Sequence, residues 1–313
     1  MSGEEPTGVQ PDPGFRSGFV CVVGRPNAGK STLMNALVGQ KVAITSGRPQ
    51  TTRHAIRGVL HRDDAQIVLV DTPGLHRPRT LLGERLNDMV RGALAEVDVV
   101  VFCLPADQRV GPGDRFIAAQ LADLQDRPVI AVATKTDLVG RARLAEHLMA
   151  IAELGEWADI IPVSAVDGYQ VGTLVDLLVS HLPVGPPMYP AGELTDEPEA
   201  VMVAELVREA ALEGVRDELP HSLAVVVEEI IPRPVKDGSQ AAPLLDVRVN
   251  LFVERDSQKA IVIGKGGSRL REVGSQARPA IEALLGAKVF LDLHVKVAKD
   301  WQRDPKQLHR LGF

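Results

Sequence analysis

The octapeptide Gly24-Arg25-Pro26-Asn27-Ala28-Gly29-Lys30-Ser31 has the spacing G-x-x-x-x-G-K-S, and those residue types at that spacing suit the binding of a phosphate chain. Glycines let backbone N–H groups turn inward, and a helix opening there would aim its unpaired N–H groups and positive dipole end at the same anion. Lys30 would neutralise the outer phosphates, the Ser31 hydroxyl would hold Mg²⁺, and Thr32 beside it is counted among the nucleotide-binding residues. Further on, Asp71-Thr72-Pro73-Gly74 ends an apolar run. Its carboxylate can serve the same ion through water, and the Gly74 N–H can reach a terminal phosphate because no side chain intervenes. Between the two motifs, Gln50-Thr51-Thr52-Arg53-His54 is polar and aperiodic. The bland reading is a solvated loop. The functional one is a switch segment in which Thr52, with Thr51 the competing residue, completes the Mg²⁺ shell only beside a triphosphate.

Base choice falls to two later stretches, Thr134-Lys135-Thr136-Asp137 and Ser164-Ala165-Val166. One carboxylate can accept both N1–H and N2–H of guanine, a pairing adenine cannot make; Asp137 is that carboxylate, Lys135 would lie over the ring, and the Ala165 N–H would meet O6. In this order the motifs favour GTP over ATP. A second glycine pattern, Gly264-Lys265-Gly266-Gly267, stands between an apolar stretch and a basic helix start carrying Arg269 and Arg271. It suits a loop that approaches a nucleic-acid backbone closely, with Lys259, Lys296 and Lys299 adding attraction. The bland alternative is a helix–turn–helix hairpin with a solvated charged face. Phe252, Phe290, Trp301 and Phe313 are the only aromatic residues in that region, so base stacking is expected to be a lesser term.

The elements that must position these residues are legible as a pattern. Phe19–Val23, Ile67–Val70, Val97–Leu104, Val129–Ala133 and Ile160–Val163 are short runs rich in Val and Ile with little polar alternation, as expected of central strands covered on both faces. Amphipathic stretches at Ser31–Val38, Asp114–Leu124, Arg141–Leu154 and Val171–Leu182 alternate with them, which predicts a doubly wound parallel α/β sheet over 15–182. Residues 183–198, with Pro183, Pro186, Pro187, Pro190 and Pro198, read as a linker. Beyond it the pattern predicts a small α+β domain over 199–313, ordered α-β-β-α-α-β, with both later helices (Ser268–Val273 and Ala277–Leu285) following the glycine loop. Residues 1–14 are acidic, rich in Pro and Gly, and read as a disordered tail without a signal-peptide pattern. No apolar run is long enough to cross a bilayer. The cysteines Cys21 and Cys103 sit in apolar runs without ligand spacing, so both are expected as buried hydrophobes of a reducing compartment. The net charge of -6 is the sum of -6 over 1–198, -6 over 199–254 and +6 over 255–313; the basic end coincides with the second glycine pattern.

The first set of motifs resembles that of small GTPases of the translation-factor class, and the chain from about residue 17 to 313 resembles the Era-type family of bacterial ribosome-assembly GTPases. The likeness rests on G-R-P-N-A-G-K-S, on Gln50 to His54, on Asp71-Thr72-Pro73-Gly74-Leu75-His76 and on the glycine loop of a type II KH domain. It implies a P-loop GTPase with GTP/GDP and Mg²⁺ as ligands and 16S rRNA and the small ribosomal subunit as partners. A monomer is expected, placed in the cytoplasm with some association at the inner face of the membrane. The phosphate-stabilising residues would be Lys30, Thr52 and Gly74. Relatives of Ras place a water-orienting Gln where Leu75 stands, so slow intrinsic hydrolysis is implied. Asn27 matches a position that holds K⁺ in several relatives, although it is equally a turn-former. The family's N-K-x-D begins here with Thr134, which puts some guanine affinity in doubt. Two other readings stay open: a constitutive RNA-binding factor whose nucleotide domain is a platform, and a membrane-associated signalling GTPase.

Overall fold

Valine and isoleucine dominate the runs that form the first sheet, because β-branched side chains pack well on both faces of a covered strand. The computed structural model describes residues 14–45, 52–53, 55–75, 78, 80–124, 127–213, 222–233 and 244–313; residues 1–13 of the expected tail lie outside these. The first unit comprises β1 (Arg16–Gly24), α1 (Lys30–Val38), β2 (Ile56–His61), β3 (Ala65–Asp71), α2 (Leu81–Glu96), β4 (Val99–Pro105), α3 (Pro112–Ala122), β5 (Val129–Thr134), α4 (Arg141–Ala152), β6 (Asp159–Pro162) and α5 (Val171–His181). Its sheet runs β2-β3-β1-β4-β5-β6. All neighbours are parallel except the edge pair β2–β3. The order reverses around β1, so the loop leaving β1 opens into the crevice where such sheets bind ligands.

Two elements depart from the pattern expected of the sequence. β2 is an antiparallel edge strand whose Arg57 faces solvent and whose Gly58 breaks the apolar run, so the sheet is mixed rather than wholly parallel. Gly58 leaves room for Met34 and Val42, which a Cβ there would meet at 2.7 and 3.1 Å. α2 carries two glycines and many charges, yet it forms because Thr80 caps it, accepting from the Gly83 N–H, and because Leu82, Leu86, Val90 and Leu94 make one buried stripe.

The second unit contains α6 (Glu199–Leu212), β7 (Ala224–Pro232), β8 (Leu244–Val253), α7 (Asp256–Ile263), α8 (Ser268–Leu285), β9 (Lys288–Val297), a 3₁₀ turn at Trp301–Arg303 and α9 (Pro305–Arg310). In the sheet β7-β8-β9, the first pair is antiparallel and the second parallel. The order α-β-β-α-α-β holds, but its helices flank the glycine loop instead of both following it. α8 is continuous through Gly274 and Pro279. Val273, Ala277 and Ile281 recur every four residues and are buried, and that packing outweighs the local penalties.

The proline-rich stretch does not hang free between the units. The buried Gln66 side chain accepts from the Met188 and Tyr189 N–H groups (2.6 and 2.9 Å) and donates to the Tyr189 carbonyl (2.8 Å). Val59 on the edge strand donates to the Leu194 carbonyl at 2.8 Å, which covers part of an otherwise open edge. The units also share an apolar cluster in which Leu82 and Leu86 of α2 join Ala224, Phe252, Ala298, Trp301, Leu308 and Leu311.

Candidate functional site

Between β1 and α1 the loop turns through left-handed backbone at Asn27 (φ 62) and Gly29 (φ 88), so that α1 opens at Lys30 with its first N–H groups facing the loop. Pro26 to Thr32, Thr45, Thr52 and Gly74 line one small cavity. The Lys30 ammonium is buried and donates to the carbonyls of Arg25 (3.0 Å) and Gly24 (3.3 Å). Burial pushes its pKa down, and Asp71 opposes that shift. Arg25 contributes backbone only: its guanidinium is spent on Asp114 (2.7 Å), whose carboxylate also accepts from Gly111 N–H at the start of α3.

At the foot of the loop, three oxygen-bearing side chains from distant segments meet. Ser31 Oγ donates to Asp71 Oδ2 at 2.7 Å, Thr52 Oγ1 donates to the same oxygen at 3.0 Å, and the two hydroxyls are 3.0 Å apart. Asp71 Oδ1 is buried without a hydrogen-bond partner. Hard oxygen donors with one orphaned carboxylate oxygen fit Mg²⁺. Burial pushes the Asp71 carboxyl up, against the attraction of Lys30, and a divalent cation would hold it ionised. Gln50, Thr51 and His54 lie outside the described residues, so Thr52 and Arg53 represent the switch segment here.

The Asp71–Gly74 segment presses on the phosphate loop: a Cβ at Gly74 would lie 2.6 Å from the Pro26 nitrogen, and Leu75 N–H donates to the Gly24 carbonyl (3.2 Å). The Thr72 hydroxyl is turned inward, donating to the Val22 carbonyl. Leu75 is buried in the apolar cluster with Val23, Val90 and Ile117. Only its backbone faces the loop, so its side chain neither orients nor obstructs an attacking water.

Thr134 reaches the phosphate loop in spite of its length, its hydroxyl donating to the Ala28 carbonyl at 2.6 Å. Lys135 adopts left-handed backbone (φ 58), with its ammonium 3.9 Å from Asp107. The Asp137 carboxylate is held by Ser164, whose hydroxyl donates to it (2.8 Å) while accepting from the Asp167 N–H (3.1 Å). Asp137, Thr136, Ser164 and Tyr169 line a second, open cavity; Ala165 follows Ser164 there, and the Val166 side chain is exposed.

Arg53 departs furthest from its expected place. Its side chain leaves the phosphate site and is buried against the second unit, donating to the Leu223 carbonyl (2.7 Å) and lying over Trp301 and Phe313 (5.6 and 6.0 Å to the ring centres). Burial, then repulsion from Arg208, pushes its pKa down to about 9, opposed by Glu205 and Glu254. Glu209 of α6 was not foreseen: it accepts from the Thr45 N–H (2.9 Å) and from Lys41 (2.5 Å). Both residues find partners more than 160 positions away, a distance no local pattern spans.

In the second unit the glycine loop joins the end of α7 to the start of α8. Gly264 has φ 73, and a Cβ there would sit 2.7 Å from Arg269 Cβ, so the turn demands glycine on both counts. The two arginines expected to face nucleic acid are engaged within the protein. Arg269 donates to the carbonyls of Glu213 and Ala210 at the end of α6 and pairs with Glu272. Arg271 donates to the carbonyls of Gly266 (2.9 Å) and Gly267 (3.4 Å). Lys265 is the exposed cation at the tip, while Lys296 pairs with Glu228 (2.9 Å).

Residues 19–135 match the family model described as a 50S ribosome-binding GTPase, and residues 218–302 match that of a KH domain. The chain is 65% identical to the GTPase Era of Streptomyces coelicolor, over 100% of this chain and 98% of that protein. It is 66% identical to that of Mycobacterium avium, over 96% and 99%. Among solved structures, Era in complex with MgGDPNP and nucleotides 1506–1542 of 16S ribosomal RNA superimposes with a TM-score of 0.89 at 37% identity, over 95% of this chain and 99% of that one. A variant of Aquifex aeolicus Era bound to GDP and AlF₄⁻ gives the same TM-score at 36% identity and the same coverages. With a phosphate-loop motif and a KH domain on one chain, and with this likeness along nearly all of it, the chain belongs to the Era family of GTPases.

Proposed function

We propose that this GTPase binds 16S rRNA through its KH domain and assists assembly of the small ribosomal subunit, with GTP and GDP as the two settings of a switch. The observation that carries the switch is the meeting of Ser31, Thr52 and Asp71 at the foot of the phosphate loop, which supports reading Thr52 as the residue that a triphosphate and its metal would hold. The RNA side is supported by the complex with nucleotides of 16S RNA, which resembles this chain across both domains. The description naming the 50S particle attaches to a model matching 19–135 alone. We assign 15–182 to the nucleotide domain, 183–198 to the connection and 199–313 to the RNA-binding domain.

Hydrolysis of GTP to GDP and phosphate needs charge neutralisation and alignment rather than a covalent catalyst. Lys30 exchanges its carbonyl partners for the β and γ phosphates, the α1 N-terminus and the Gly74 N–H donate to phosphate oxygens, and Asp137, held by Ser164, accepts from guanine. Ser31, Thr52 and Asp71 would hold Mg²⁺, which neutralises charge developing on the phosphate oxygens. With Leu75 packed into the core, turnover by the chain alone is slow. Asn27 would add a K⁺ ligand at the same loop; equal turnover in K⁺ and Na⁺ buffers would remove that role. Among the described residues no helix is long and apolar enough to cross a membrane. The likeness to ribosome-assembly GTPases supports a monomer acting in the cytoplasm, with some peripheral association at the inner face of the membrane.

The test is binding of an RNA of nucleotides 1506–1542 of 16S rRNA to the full chain, loaded with Mg²⁺ and either GDP or a non-hydrolysable GTP analogue. Tighter binding with the analogue is expected. Equal affinity in the two states overturns the switch, and no binding in either overturns the RNA assignment.

A further inference from the structure

Thr52 and Arg53 are consecutive and both buried, yet they belong to different sites. The Thr52 hydroxyl is fixed on Ser31 and Asp71. The next side chain enters a socket made by the KH domain: the Leu223 carbonyl accepts its hydrogen bond, and Trp301, stacked on Phe313 (5.5 Å between ring centres), supplies an aromatic floor. Trp301 is itself pinned, its indole N–H donating to the Ser222 carbonyl at 3.0 Å. On the other flank of the switch segment, Glu209 of the same domain grips Thr45 and Lys41.

Burying a guanidinium is unfavourable unless its partners are specific, and an apolar side chain would fill the same volume at less desolvation cost. What the guanidinium adds is direction: a planar donor fork that meets one carbonyl while lying on an aromatic face. Successive Cα atoms are about 3.8 Å apart, so seating Arg53 leaves little freedom at Thr52, whose hydrogen bonds tolerate only a few tenths of an ångström. We propose that Arg53 is a positioning residue for the triphosphate site, using its seat in the KH domain to hold Thr52 where its hydroxyl reaches Ser31 and Asp71. The proposal rests on the reading of Thr52 as a Mg²⁺ ligand. It makes the KH domain part of the nucleotide site: the triphosphate is bound well only when the KH domain is docked, and by reciprocity triphosphate favours that docking.

The experiment uses the full chain with Arg53→Met, which keeps the unbranched stem and removes the charge, with Arg53→Lys, and with Thr52→Ala. Affinity for a fluorescent non-hydrolysable GTP analogue is titrated against Mg²⁺ and compared with affinity for GDP, and folding is followed by thermal melting. If the Thr52-competent population falls to about a tenth, Arg53→Met weakens Mg²⁺-dependent analogue binding about tenfold while GDP affinity stays within about twofold. Arg53→Lys falls between, because an ammonium reaches the carbonyl but cannot lie flat on Trp301. Wild-type behaviour of Arg53→Met beside a defective Thr52→Ala overturns the positioning role alone. A wild-type Thr52→Ala overturns the metal reading beneath it. Equal loss of GDP and analogue binding in a folded Arg53→Met assigns the residue to structure only and also overturns the proposal. Should Arg53→Met fail to fold, Arg53→Lys is judged by the same split between analogue and GDP.

Discussion

A single methyl group at Gly74 would stand 2.6 Å from the Pro26 nitrogen, so Gly74→Ala must push the two loops apart. Overpacking of this kind costs about 1–3 kcal/mol, and it shifts the Gly74 N–H, which in the proposed mechanism donates to a terminal phosphate. GDP binding should survive while analogue binding falls, as a calorimetric titration of the two nucleotides would show. Thr134 supports the phosphate loop from the end of β5. Thr134→Ala leaves the buried Ala28 carbonyl without the hydroxyl that serves it, a loss of about 1–3 kcal/mol. The expected consequence is GDP binding weaker by about fivefold or more, and unchanged GDP affinity would show the bond to be dispensable. Lys265 makes a different claim. As a point charge at the loop tip, its replacement by Ala should lower the log–log salt slope of RNA binding by about 0.7 with little effect on melting. The residue chemistry of the phosphate loop was legible because it lies in eight consecutive positions. The engagement of Arg25, Arg269 and Arg271 within the protein was not, since each is held by groups the sequence does not mark.

Among the elements, β1 and β4 lie side by side in the sheet with Cys21 and Cys103 fully buried. Burial pushes both thiols up to about 12, so the thiolate is scarce at pH 8. A thiol reagent at pH 8 should leave both cysteines unmodified in the native chain and label both in denaturant; rapid native labelling would contradict this packing. The five parallel strands were readable as continuous Val and Ile runs. β2 escaped because an edge strand with an exposed Arg57 and a Gly58 carries a weak period. α7 escaped because eight residues give too few turns for a helical pattern to emerge. α2 was missed for its glycines, yet it carries the interface. Leu86→Ala removes a side chain packed in the cluster with Trp301 and Leu308. It should cost about 2–5 kcal/mol, read as a lower denaturant midpoint, and an unshifted midpoint would mean the two units are not held there.

For the whole molecule, the net charge of -6 divides into acidic and basic regions, and several side chains of the basic end also contact the protein itself. Arg269, Arg271, Lys288 and Lys296 contact the protein's own carbonyls and carboxylates, and Lys265 is an exposed cation of the glycine loop. The switch segment and α2 reach across to the KH domain through Arg53 and Leu86, and α6 of that domain reaches back to Thr45 and Lys41 through Glu209. If those contacts couple the sites, the factor by which the GTP analogue tightens RNA binding must equal the factor by which RNA tightens analogue binding. Measuring both legs of that cycle on one preparation checks the coupling, and a factor of one on both legs would show the domains to be independent.

The sequence by itself determined the phosphate loop, the glycine loop and the order of most elements, because each is written in neighbouring residues whose local geometry follows from their own backbone and side-chain chemistry. Only the tertiary structure decided where the charged side chains go: Arg25 to Asp114, Arg269 to the end of α6, and Arg53 away from its own loop into the KH domain. These choices are settled by which groups are left in need of a partner once the sheets have packed. That pairing joins residues up to 170 positions apart, where no local pattern connects them.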